Sequence, residues 1–191
     1  MMLKHKIVAI LTPLLVLVDQ LTKIWVVQNL RYQRDEIEVI PGFLSIIHAQ
    51  NPGAAMGMLV DFEHRMWVFL AFTVVAVAVL FNMLKQIGDD DRFQSVTIAL
   101  ILSGAVGNAI DRVHKQTVTD FIKVYTEYPP LKTWLVDTFR TSEWPTFNVA
   151  DAAIVVGVAL YLLHYLLFER DKEGHEELGA NPLDEEKSAE K

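Results

Sequence analysis

The sequence predicts an all-α membrane protein with four transmembrane helices, a small extracytoplasmic β-rich region and an interfacial helix. The first observation behind this prediction is composition, because 52% of the 191 residues are hydrophobic. The second is the grouping of those residues into four apolar stretches, at positions 7–30, 66–84, 93–110 and 149–168. Each stretch is long enough to cross roughly 30 Å of hydrocarbon as a helix, which satisfies its own backbone hydrogen bonds.

The first stretch follows Lys4 and Lys6, as the apolar part of a signal peptide would. It is too long for a signal peptide, it contains Asp19, and no small-residue cleavage site follows it. We therefore expect a retained helix. The second and third stretches contain no charged residue, and the fourth contains only Asp151 near its start and His164 near its end.

The two connections on the outer side predict further structure. Residues 37–47 are rich in β-forming residues and are interrupted by Pro41-Gly42, which predicts a small sheet resting on the membrane. Within the long connection at 113–147, four apolar residues fall near one helical face: Leu131, Trp134, Leu135 and Phe139. They predict a short helix lying in the membrane interface. A packed loop helix is an equally good interpretation.

The last part of the chain differs in composition. From position 169 onward there are nine acidic and four basic residues and few apolar ones, which predicts a disordered tail. We therefore divide the chain into a four-helix transmembrane domain at 1–168 and an acidic cytoplasmic tail at 169–191. Four spans place both termini on one side. Basic residues are equal in number on the two sides, so only Lys4 and Lys6 favour cytoplasmic termini.

Several kinds of site are excluded by composition. The chain contains no cysteine, which rules out thiol catalysis, cysteine metal sites and disulfides. Its six histidines are scattered, without the spacing of metal ligands, and no glycine-rich phosphate loop or Gly-x-Ser-x-Gly motif is present. We expect neither a metal nor a cofactor, and no nucleic-acid partner.

Asp120 and Asp151 lie at the two ends of the long outer connection. A carboxylate at the edge of a bilayer is costly unless it is paired, hydrated or used. Two of them brought together would share a proton and could activate water. Each also has a simpler explanation. Asp120 alone would be an ordinary loop residue, and Asp151 follows Asn148 with the spacing of a helix capping box.

A polar group ends the third stretch. Asn108 and Asp111 share one helical face, and Arg112 either neutralises Asp111, contacts a substrate carbonyl or extends into the interface. Gly104 and Gly107 permit close packing of helices.

Two further motifs precede this group. Asp19 and Lys23 have the spacing of a local ion pair, although an acid this deep in a span is also a functional candidate. Asn51 and Gly53 belong to a turn of small residues that another backbone can approach closely.

Five short segments together resemble the lipoprotein signal peptidases, the signal peptidase II family, in their order and setting. They are DQLTK at 19–23, NPGAA at 51–55, GNAIDR at 107–112, VTDF at 118–121 and FNVAD at 147–151. The resemblance extends from about residue 5 to residue 168.

The resemblance implies an aspartic peptidase of the bacterial inner membrane, with its active site near the extracytoplasmic face. Such enzymes remove the signal peptide from prolipoproteins, cleaving just before a cysteine that bears diacylglycerol. By motif position, Asp120 and Asp151 are expected to form the catalytic dyad. The expected supporting residues are Asp19, Asn51, Gly53, Asn108, Asp111, Arg112 and Asn148. The expected partners are prolipoproteins and membrane lipids, and we expect a monomer.

The chain departs from the family pattern at three places. Met56 replaces a usual aromatic residue, the segment 127–144 is longer than usual, and the acidic tail is an extension. Two other functions stay open at this point. A small transporter or proton channel would use Asp19, Asp111 and Asp151 as relay groups, and a membrane scaffold would need none of the aspartates.

Overall fold

The computed structural model describes residues 2–53, 62 and 64–169. All four predicted spans are helices: α1 (Leu3–Asn29), α2 (Arg65–Gln86), α3 (Arg92–Lys115) and α5 (Val149–His164). Each is long and apolar enough to cross a membrane, α5 with its continuation to Leu167. The protein is therefore a multi-pass membrane protein. Met56 and the tail from residue 170 onward lie outside the described residues.

The third helix, α3, is the centre of the bundle. It packs against α1, α2 and α5, and 50% of its apolar window is buried, compared with 11–17% in the other spans. Small residues permit this packing. A Cβ added at Gly104 would collide with the carbonyl oxygen of Ala150 in α5, and one at Gly107 would lie 2.7 Å from Oδ2 of Asp19 in α1.

A three-stranded antiparallel sheet lies at one end of the bundle. Its strands are β1 (Glu36–Ile40), β2 (Leu44–Asn51) and β3 (Val118–Val124), in that spatial order. Gly42, with φ of 72°, lies in the turn between β1 and β2, where Pro41-Gly42 interrupts the β-forming residues of the predicted sheet. Phe121 of β3 packs against Val26 and Leu30 near the end of α1, so the sheet is attached to the bundle.

The predicted helix of the last connection is α4 (Pro129–Phe139). Its two ends are joined to the sheet, since Tyr125 pairs with Glu143 and the Trp144 N–H donates to the Val124 carbonyl. None of its residues is buried, so the alternative of a packed loop helix is wrong. Three residues of the predicted apolar face are exposed: Leu131, Trp134 and Phe139.

Candidate active site

Asp120 lies on β3, with only 3% of its surface exposed. The register of β2 and β3 places it opposite Ala49, two residues from Asn51. Its Oδ2 accepts a hydrogen bond of 3.0 Å from Asn51 Nδ2, and its Oδ1 accepts one of 2.7 Å from Asn148 Nδ2. Both carboxylate oxygens are therefore positioned by asparagine amides from two different parts of the chain.

Asp151 lies in the first turn of α5, where the predicted capping box is present. Asn148 Oδ1 accepts from the Asp151 N–H at 3.0 Å, and Asp151 Oδ2 accepts from the Asn148 N–H at 3.1 Å. Its other oxygen, Oδ1, accepts a 2.7 Å hydrogen bond from Asn108 Nδ2 of α3. Asp151 can therefore cap the helix and contact Asn108 at the same time, because each interaction uses a different carboxylate oxygen.

Two asparagines connect the carboxylates. Asn148 Nδ2 donates to Asp120 Oδ1 and also lies 3.2 Å from Asn108 Oδ1, while Asn108 Nδ2 donates to Asp151. The structure thus brings Asp120 and Asp151 into one hydrogen-bonded network, although 31 positions separate them in the sequence. The network joins the end of α3, strand β3 and the start of α5.

The surroundings of Asp120 favour its protonated form. Its pKa is raised from 3.8 to about 6, first by burial and second by the charge of Asp151. The hydrogen bonds from Asn51 and Asn148 and the charge of Lys23 oppose this rise. A carboxyl in this range exchanges protons near neutral pH, as a general acid or base must.

Lys23 supports this network from within α1. It is fully buried and forms ion pairs with Asp19 at 2.9 Å and Asp111 at 3.6 Å. The predicted pairing of Asp19 with Lys23 is confirmed. Lys23 Nζ also donates to Asn108 Oδ1 at 3.1 Å, which fixes the orientation of the amide that contacts Asp151.

The two framework carboxylates each bind the backbone beside one site aspartate. Asp19 Oδ1 accepts from the N–H of Ala150 at 3.0 Å, and Asp111 Oδ2 accepts from the N–H of Thr119 at 2.9 Å. These two residues immediately precede Asp151 and Asp120. Asp19 and Asp111 therefore position the backbone of the site.

Arg112 forms no direct ion pair with Asp111 in the part of the chain that the structure describes, since the ion pairs of Asp111 are with Lys23 and Lys115. Its charge still interacts with those of Asp151, Asp120 and Asp111. Its guanidinium instead lies over the ring of Phe69 in α2, 4.8 Å from the centroid. Its Nε is buried and has no hydrogen-bond partner among the described residues. Arg112 thus keeps one buried donor unpaired within the described part of the chain.

Gly53 closes the turn that positions Asn51. Its N–H donates to Asn51 Oδ1 at 2.8 Å, and its φ of 93° is one that glycine adopts readily. Asn51 therefore uses its oxygen to hold the turn and its amide to contact Asp120.

Comparison with known proteins gives the family. Residues 11–167 match the sequence model of the family described as signal peptidase (SPase) II. The chain belongs to the signal peptidase II family. A lipoprotein signal peptidase of Geobacter metallireducens is 41% identical over 166 residues, or 87% of this chain and 94% of that protein. One from Listeria monocytogenes serotype 4b is 39% identical over 165 residues, or 86% and 96%.

Solved structures agree with this assignment. A bacterial membrane enzyme determined by the in meso method at 1.9 Å resolution is 30% identical, with a TM-score of 0.69 over 85% of this chain and 93% of that one. A second such structure, at 2.3 Å, has a TM-score of 0.68 over 83% and 87%. The sequence resemblance to signal peptidase II and the predicted fold class are confirmed.

The structure adds residues to the candidate site of this signal peptidase II family member that the sequence did not indicate. The spacing of Lys23 from Asp19 predicted their ion pair. It gave no sign that Lys23 also contacts Asn108. Phe69 carried no signal, because an aromatic residue in an apolar span looks like any lipid-facing or packing residue. Among the described residues, no group of three or more His, Asp or Glu has a metal-binding arrangement.

Proposed function

We propose that this protein is a membrane aspartic endopeptidase that removes the signal peptide from diacylglyceryl-modified prolipoproteins, cleaving just before the lipidated cysteine. The observation that carries the proposal is the network joining Asp120 and Asp151 through Asn148 and Asn108. The substrate class follows from relatives named lipoprotein signal peptidase, which match most of the chain.

The proposed mechanism uses the two aspartates as one unit. Because two neighbouring carboxylates do not both ionise cheaply, they share a proton. The ionised carboxylate accepts a proton from water, which attacks the carbonyl carbon of the scissile peptide. The protonated carboxyl hydrogen-bonds the carbonyl oxygen and stabilises the charge that develops there. In this mechanism Arg112 binds a carbonyl oxygen of the substrate. The electrostatic interaction of Arg112 with Asp151 and Asp120 and its unpaired Nε among the described residues support this role.

The location of the site suits this substrate. Both aspartates lie near the same end of the bundle, Asp120 after the last residue of α3 and Asp151 in the first turn of α5. With cytoplasmic termini, that end faces the extracytoplasmic side of the bacterial inner membrane. The acyl chains of the substrate would stay in lipid while the peptide enters between helices. A monomer without a cofactor is sufficient for this chemistry.

The arrangement of Asp19 argues against a proton relay. Its Oδ2 pairs with Lys23 and accepts from Gln20, and its Oδ1 binds the Ala150 N–H. Protonating Asp19 in each transport cycle would break this buried ion pair, which is costly. Asp19 therefore fits a structural role in a peptidase better than a role in transport.

The test is cleavage of a purified diacylglyceryl-modified prolipoprotein, followed by its shift on a gel. We expect wild type to cleave, and Asp120→Asn and Asp151→Asn to lose roughly 10²-fold or more of the rate. Asp137→Asn is the matched control, because Asp137 is exposed on α4 and should keep the wild-type rate. An inactive wild type, or two active mutants, would refute the proposal.

A further inference from the structure

Phe69 of α2 contacts two separate parts of the site described above. On one side its ring meets the backbone of Gly53, where an added Cβ would lie 2.5 Å from Cε2 and 2.9 Å from Cδ2. On the other side the Arg112 guanidinium lies over the ring face, 4.8 Å from the centroid. One aromatic side chain thus touches both the turn after β2 and the end of α3.

The contact with Gly53 leads to Asp120 through two hydrogen bonds. The Gly53 N–H donates to Asn51 Oδ1 at 2.8 Å, and Asn51 Nδ2 donates to Asp120 Oδ2 at 3.0 Å. The closeness of the ring to the α-carbon of Gly53 leaves the turn no room to move toward α2. Since the turn orients the Asn51 amide, the ring of Phe69 limits the positions that the amide can take against the carboxylate.

The contact with Arg112 is of a different kind. A guanidinium over an aromatic face is attracted by the ring electrons, and the attraction is stronger where water is excluded. Arg112 has no ion pair with Asp111, and its Nε is without a hydrogen bond in the described structure. The ring face therefore adds to the attraction that the charges of Asp151, Asp120 and Asp111 exert on the guanidinium, and it leaves Nε unpaired among the described residues.

The geometry points to Phe69 as a positioning residue for catalysis, which seats the Asn51–Gly53 turn against Asp120 and holds the Arg112 guanidinium toward the substrate carbonyl. This inference rests on the proposed peptidase function. It gives α2 a direct part in the site, in addition to its packing against α3. Phe69 acts through its neighbours and does not itself exchange protons.

The inference predicts a particular pattern of kinetic change. A residue that positions groups acting on the transition state affects kcat more than KM. We expect Phe69→Leu, which removes the ring but keeps an apolar side chain, to lower kcat roughly tenfold and to change KM by less than about twofold. Phe72→Leu is the matched control. Phe72 lies one turn further along α2, is 68% exposed, and should behave as wild type.

A second variant separates the effect of the ring electrons on Arg112 from the effect of the size of the ring. A ring-fluorinated phenylalanine at position 69 keeps nearly the same shape but weakens the attraction for a cation. We expect kcat to fall in the same direction as in Phe69→Leu, by a smaller factor, with the thermal melting temperature unchanged. This variant decides the question if Phe69→Leu fails to give folded protein.

Three outcomes would overturn the inference. They are a wild-type kcat in both variants, an increase in KM that accounts for the whole loss, or a loss in Phe69→Leu that follows its unfolded fraction while the fluorinated variant stays fully active. Asp120→Asn, assayed beside them, separates this failure from failure of the proposed function. If Asp120→Asn is inactive while both Phe69 variants are normal, only the role of Phe69 is wrong.

Discussion

At the scale of single residues, the chemistry of Asp120 is set by its surroundings. It is buried on β3 beside a second carboxylate, and its pKa of about 6 is well above that of an exposed aspartate. The folded protein therefore keeps this proton to higher pH than the unfolded chain does. As a result, Asp120 makes the folded state less stable as the pH rises from about 4 to about 6.

The Asp120→Asn variant cannot ionise at this position. Comparing its stability with that of wild type therefore measures the effect of ionising Asp120. The change in pKa from 3.8 to about 6 corresponds to about 3 kcal/mol of unfolding free energy. We expect the melting temperature of Asp120→Asn in detergent to rise relative to wild type as the pH increases from about 4 to about 7, because only wild type acquires the buried charge. Thermal melts over this pH range measure the difference.

The exposed Asp137→Asn serves as the control for this measurement and should follow wild type at every pH. A difference between Asp120→Asn and wild type that does not vary with pH would contradict the raised pKa. It would mean that Asp120 keeps its charge through the acidic range despite its burial.

The sequence predicted which residues form the candidate site better than it predicted the hydrogen bonds among them. The motif positions pointed to Asp120, Asp151 and the three asparagines, and the structure brings all of them together. From the sequence, Asp151 could be either a helix cap or a site residue. In the structure it makes both kinds of contact, because Oδ2 caps the helix and Oδ1 accepts from Asn108. No local pattern reveals such a division of contacts, because it depends on where α3 lies.

At the scale of elements, close approach between helices sets the position of the site. The backbone of Ala150 lies against Gly104, so the start of α5 sits directly on α3. Any side chain at position 104 would push the two helices apart and would also move Asp151, one residue along α5.

Gly104→Ala should therefore destabilise the bundle and lower activity together. Overpacking of this kind costs about 1–3 kcal/mol, since the obstacle is a backbone carbonyl rather than a flexible side chain. Gly88→Ala is the matched control, because an added Cβ there meets nothing within 4 Å. Thermal melting and the cleavage rate would both be measured. Equal melting temperatures for the two variants would contradict the packing account.

Helix α4 is the second element with a testable position. Its exposed apolar side chains, together with Tyr128 and Trp144, resemble the aromatic residues that anchor proteins in a membrane interface. We expect α4 to lie on the outer membrane surface. In a variant that keeps Trp134 and replaces the other tryptophans by phenylalanine, lipids brominated near the headgroup should quench the fluorescence most. Quenching only by a water-soluble quencher would contradict this placement.

Strand β3 was the element that the sequence did not predict. Its residues belong to the long connection at 113–147, for which the sequence predicts only a short helix. Its first four residues are all buried, so the alternation typical of a half-buried strand is absent. The strand forms because its backbone pairs with the edge of β2. In addition, Phe121 packs against apolar side chains near the end of α1.

At the scale of the whole molecule, hydropathy was sufficient to predict the number and order of the spans. Each span is recognisable by its own length and apolar composition. Hydropathy carries no information about which spans are neighbours. The hydrogen bond from Ala150 to Asp19 joins residues 131 positions apart, and that from Asn108 to Asp151 joins residues 43 apart. These contacts arise only when α1, α3 and α5 pack together.

The central claim is that Asp120 and Asp151 act as one catalytic unit in peptide hydrolysis. Single-turnover cleavage of a diacylglyceryl-modified prolipoprotein by wild type, Asp120→Asn, Asp151→Asn and the double mutant tests it most directly. We predict that each single mutant loses roughly 10²–10⁴-fold of the rate and that the double mutant loses no more than about tenfold further. Two modest losses that multiply in the double mutant would show independent contributions and would contradict a shared-proton pair.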